Sequence, residues 1–79
     1  MTAALTEEDL LQRAQAYLKT HYGEDTVRME VLSNDVEEGN GKLHVECTVR
    51  IGGANSDWRK TFTFRNGQVT NMTWRYLGG

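Results

Sequence analysis

The feature that most constrains this chain is a single change of hydrophobic period. Up to Tyr22 the apolar residues recur at helical spacing; from Thr26 onward they alternate with polar ones, and the helical spacing does not return. At about 100° per residue, Leu10, Leu11, Ala14, Tyr17, Leu18, His21 and Tyr22 share one arc, while Glu8, Gln12, Arg13, Gln15, Ala16 and Lys19 lie outside it. Thr6 reads as the N-cap, followed by Glu7, Glu8 and Asp9 where unpaired N–H groups and the positive dipole end favour carboxylates. Leu5 and Leu10 take the places of a hydrophobic staple, and Gly23 supplies the stop. A helix is expected over about residues 7–22.

After the switch, four strands are expected at about residues 26–34, 42–51, 58–65 and 68–77. Val27, Met29 and Val31 alternate with Arg28 and Glu30; Leu43, Val45, Cys47, Val49 and Ile51 alternate with His44, Glu46, Thr48 and Arg50. Trp58, Phe62 and Phe64 then alternate with Arg59, Thr61, Thr63 and Arg65, and Asn66-Gly67 turns the chain into the last strand. The fold class follows as α+β: one N-terminal amphipathic helix packed on a four-stranded antiparallel meander, in one domain spanning residues 1–79. A chain of 79 residues buries roughly 60% of its unfolded surface, which leaves no room for a second core.

The final hairpin admits two registers. A two-residue type I′ turn at Asn66-Gly67 pairs Arg65 with Gln68 and so sets Phe64 opposite Val69 and Phe62 opposite Asn71, which sends Met72, Trp74 and Tyr76 to the solvent face. A three-residue loop with a glycine bulge pairs Phe64 with Gln68, Phe62 with Thr70, Lys60 with Met72 and Trp58 with Trp74, gathering the aromatics on the core face. The second is preferred, because an exposed Met-Trp-Tyr row would be an unusually large apolar patch.

The chemistry on offer is sparse. Cys47, the one cysteine, has no disulfide partner and falls in the buried phase of its strand. His21 and His44 are expected on opposite sides of the sheet, and the acids cluster in the first helical turn, at Glu24-Asp25 and in residues 35–38. No catalytic residue, cofactor or metal ligand is expected from this inventory. Gly52-Gly53 precedes no helix, and residues 35–40 lack the acidic spacing of a calcium loop.

The outward strand positions carry the candidate binding face: Arg28, Arg50, Arg59, Arg65 and Arg75, with Thr61 and Thr63 among them. Five arginines stand there against Glu30 and Glu46, while the other four basic residues stand against nine acids, so the net charge of -2 hides a dipolar distribution. Guanidinium groups between threonines suit phosphate or an acidic protein surface. Binding of single strands of nucleic acid also needs aromatic platforms between the cations, and only His44 offers one on this face unless Trp74 and Tyr76 join it.

A helix followed by a four-stranded meander resembles the cystatin-like group of folds, and Gln68-Val69 is similar to the start of the Gln-x-Val-x-Gly inhibitory loop of cystatins. Thr70 and Asn71 follow here in place of the required spacing and glycine, so no inhibitor role is carried over. The ending Leu77-Gly78-Gly79 resembles the terminal Gly-Gly of ubiquitin-like modifiers and sulfur carriers, whose strand order is different. The reading is therefore a non-catalytic protein-interaction module, self-associating or partner-binding through the edge of the fourth strand or the exposed sheet face. The alternative is an accessory nucleic-acid binder using the arginines, and a remote one is a Gly-Gly carrier. Without a membrane-length apolar stretch or a signal-peptide pattern at the start, no membrane partner and a cytoplasmic location are expected.

Overall fold

A computed structural model describes residues 5–78. Helix α1 (Glu7–Tyr22) is followed by β1 (Asp25–Asn34), β2 (Gly41–Ile51), β3 (Ala54–Arg65) and β4 (Gln68–Gly78), all antiparallel neighbours in chain order. The expected α+β meander is therefore the architecture of this chain. Thr6 and Asp9 form a reciprocal capping box: the Asp9 N–H donates to Thr6 Oγ1 at 3.1 Å and the Thr6 N–H to Asp9 Oδ2 at 3.0 Å. Hydrogen bonding to the charged carboxyl, first from the Thr6 backbone N–H and then from the Thr6 side chain, holds Asp9 below its usual range. At the other end Gly23, at φ 67, turns its N–H back to Lys19 O at 3.1 Å.

Leu10, Ala14 and Leu18, four residues apart, bury one stripe of the helix against Leu43, Val45, Cys47, Val49, Phe62, Phe64 and Met72. The helix is about 24 Å long at 1.5 Å per residue, whereas β3 runs about 40 Å at 3.3 Å per residue. It cannot cover the whole sheet. Its start is tied to the end of the sheet where two tight turns meet: Arg13 Nη1 donates to Gly67 O at 2.7 Å, and the Gly67 N–H donates to Gly39 O at 2.9 Å. A Cβ on Gly39 would lie 2.6 Å from the Gly67 nitrogen, so this junction needs glycine.

Three expectations change. The third strand begins at Ala54, not near residue 58, because Gly52 and Gly53 both take positive φ and close a two-residue turn. Asn55 and Asp57, loop formers by habit, then pair across to Arg50 and Thr48 and bond their side chains. In β1 the strict alternation fails at two bulges. Thr26, not Val27, takes the core phase opposite Val49, and Val27 and Leu32 are the extra residues, each about half exposed.

The β3–β4 hairpin follows neither simple register. Asn66 and Gly67, at φ 52 and 79, make the two-residue turn with Arg65 opposite Gln68 and Phe64 opposite Val69. A bulge at Thr70 then resets the phase, so Phe62 faces Met72, Lys60 faces Trp74 and Trp58 faces Tyr76. The preferred loop and its pairings of Phe64 with Gln68, Phe62 with Thr70, Lys60 with Met72 and Trp58 with Trp74 are wrong, yet the aromatics do lie on the helix side. They are not all covered there: Met72 is buried, while Trp74 and Tyr76 are each 58% exposed.

Candidate functional site

All seven residues of the predicted face share the side of the sheet away from the helix, but they do not converge. Arg50 bonds Asn55 through Nε at 3.0 Å at one end, and Arg65 stands opposite Gln68 at the other, about 33 Å away along β3 by strand rise. Thr61 Oγ1 lies 2.9 Å from His44 Nδ1, and the Thr63 carbonyl accepts from Thr70 Oγ1 at 3.3 Å. Lys42 and Asp57 also belong to this face, opposite Thr63 and Thr48 respectively, and their charges cancel.

The centre of the face holds the more telling arrangement. Glu30, Glu46, Arg59 and Arg75 stand in one row across β1, β2, β3 and β4. Two acids come first and two bases follow. Arg28 bridges the acids, at 3.3 Å from Glu30 and 3.5 Å from Glu46, and Arg59 Nε reaches Glu46 at 3.7 Å. Among the described residues, Arg75 has no carboxylate within ion-pair distance. It sits directly opposite Arg59, a like-charge cross-strand pair that costs stability.

The other side holds residues that the sequence reading passed over. Lys60 faces the helix and donates to Glu24 Oε1 at 2.9 Å, with only 3% and 9% of the two side chains exposed. Its ammonium lies 5.0 Å from the centre of the Trp58 ring and 5.8 Å from that of Tyr22. The signal was present, since Lys60 shares the phase of Trp58, Phe62 and Phe64. Beyond this pair the helix ends, and Trp58 packs edge-on against Tyr76 at 5.0 Å, with Trp74 beside them. Further along, a groove of about 260 Å³ between α1 and β4 is lined by Arg13, Tyr17, His21, Gln68 and Val69.

Burial pushes the Cys47 thiol up to about 11, so it stays protonated at neutral pH and is a poor nucleophile. Among the described residues no three of His, Cys, Asp and Glu gather as a metal-binding group, and no helix is long and apolar enough to cross a membrane. Of the terminal Gly78-Gly79 pair, Gly79 lies outside the described residues. No protein-family model, curated protein or solved structure matches this chain.

Proposed function

We propose that this protein is a non-catalytic protein-interaction module that takes up an extended segment of a partner as a fifth strand on the free edge of β4. The observation that carries the reading is the unbulged run of residues 71–76, an open ladder of backbone donors and acceptors flanked by the exposed rings of Trp74 and Tyr76. Each edge strand carries two bulges, at Thr70 and Leu77 in β4 and at Val27 and Leu32 in β1, but those of β1 leave only residues 28–31 in regular pairing, a shorter template. The separation of the aromatic rings from the arginines, on opposite sides of the sheet, favours a protein partner over single-stranded nucleic acid, which needs them interleaved. A cytoplasmic location is part of the proposal, and a lone buried thiol is compatible with it.

Selection from a library of short extended peptides, followed by amide hydrogen exchange on the bound protein, tests the reading. Selected peptides are expected to slow exchange along residues 71–76 and leave β1 unchanged. Protection confined to β1 or to the arginine face would overturn it. So would salt-dependent retention on single-stranded nucleic acid that is lost in an Arg50→Ala, Arg59→Ala variant.

A further inference from the structure

We infer that the segment received by β4 alternates acidic and large apolar residues, with carboxylates on the open side of the sheet and apolar side chains on the helix side. This rests on the edge reading above and specifies its partner. The row Glu30, Glu46, Arg59, Arg75 ends at the β4 edge on an arginine whose one direct cross-strand neighbour is another arginine. A carboxylate on the added strand would stand next in that row, where it relieves the repulsion and forms a charge-assisted hydrogen bond with Arg75. A lysine in its place would extend the like-charge run to three.

The helix side sets the opposite demand. Side chains of an added strand alternate between faces, so the residues flanking that carboxylate would lie against Trp74 and Tyr76, whose exposed rings sit in the rows on either side of Arg75. Farther toward the turn, the groove between Tyr17, His21 and Val69 offers a second apolar seat on the same side.

A second copy of this chain fits less well. Antiparallel pairing of β4 with β4 sets Arg75 opposite Asn71, Thr73 or the second Arg75 when the dyad passes residue 73, 74 or 75, and none of these offers it a carboxylate. Pairing of β4 with β1 would offer Glu30 to Arg75, but Arg28 already holds Glu30, and the bulges leave only residues 28–31 in regular pairing there. That contact would also be head-to-tail and open-ended.

Three synthetic peptides with identical apolar residues test the inference: one with glutamate at the alternate positions, one with lysine, and one with glutamates moved by one residue into the apolar phase. Titration calorimetry at low salt is expected to show the alternating acidic peptide binding at least about tenfold more tightly than either other. In Arg75→Glu the preference should pass to the lysine peptide, and in Arg75→Gln it should shrink without reversing; circular dichroism confirms that both variants are folded. Equal affinity for the acidic and basic peptides, with protection still on residues 71–76, overturns the acidic partner and leaves the edge reading standing. Binding that protects other residues overturns both. A chain mass that rises across a concentration series, with no peptide binding, assigns the edge to a second copy and overturns the inference.

Discussion

The two edges of the sheet are built to opposite ends. At β1 the ladder is broken twice, the exposed residues Val27 and Leu32 are bulge residues, and the acids Glu30 and Glu46 are bridged by Arg28. At β4 bulges at Thr70 and Leu77 flank an unbroken run, residues 71–76, the exposed large apolar residues are Trp74, Tyr76 and Leu77, and Arg75 faces Arg59, whose carboxylate partner Glu46 lies on the far side of it. The difference has a cause in the chain path. The helix hands the chain to β1 through Gly23 and Glu24, and Glu24 turns in to Lys60 of β3, while Trp74 and Tyr76 of β4 stay more than half exposed. Both edges carry bulges, a device that guards against unwanted pairing, but those of β1 leave only residues 28–31 regular beside balanced charge, whereas those of β4 leave residues 71–76 regular beside exposed rings.

The largest effect is expected where Glu24, between α1 and β1, is pinned to Lys60 of β3. Lys60→Ala leaves the Glu24 carboxylate buried without its partner, which costs about 3–5 kcal/mol, most of the stability of a domain this size. The double change Lys60→Met, Glu24→Leu removes both charges and is expected to remain folded, with a urea midpoint close to the parent. Equal loss in the single and double variants would show that packing, not the ion pair, holds this corner.

The asymmetry was only partly written in the sequence. Helical spacing, the Thr6 cap and the Gly23 stop make α1 plain, and strict alternation does the same for β2, whose two neighbours oblige it to keep register. Edge strands carry no such obligation. At Val27, Leu32, Thr70 and Leu77 one extra residue resets the phase, and no side chain announces it, so a pattern of period two gives the right faces only up to the first bulge. The seven candidate residues were still legible as one face, because the bulge at Thr70 supplies the same one-residue shift as the expected glycine bulge and so keeps Arg75 outward. Which of them oppose each other was not, since the Arg59–Arg75 pairing depends on the bulge at Thr70. Lys60 was legible by phase alone, but a charged residue among Trp58, Phe62 and Phe64 reveals its meaning only once Glu24 is seen to reach it.

Exposed residues on the two edges should also respond differently to truncation. Val27→Ser and Leu32→Ser remove side chains that stand in bulges, and each is expected to change stability by no more than about 0.5 kcal/mol. Tyr76→Ser removes a ring packed edge-on against Trp58 and is expected to cost about 1 kcal/mol, while also weakening the acidic, apolar peptide. Chemical denaturation and calorimetry read the two quantities separately. A Tyr76→Ser variant with unchanged stability and affinity would make the β4 rings as incidental as Val27.

The smallest expected effect is the most direct test of the charge row, because it predicts opposite signs at equivalent positions. Arg28→Ala leaves Glu30 facing Glu46 with less relief, and a loss of roughly 0.5 kcal/mol is expected for such exposed pairs. Arg75→Glu instead places a carboxylate opposite Arg59, and a gain of roughly 0.5 kcal/mol is expected, although a residue has been changed to its opposite charge. Both shifts should fade at about 1 M salt, where screening acts over about 3 Å. If Arg75→Glu proves destabilising at low salt, the Arg59–Arg75 pair is not under strain, and the β4 edge loses the electrostatic reason for an acidic partner.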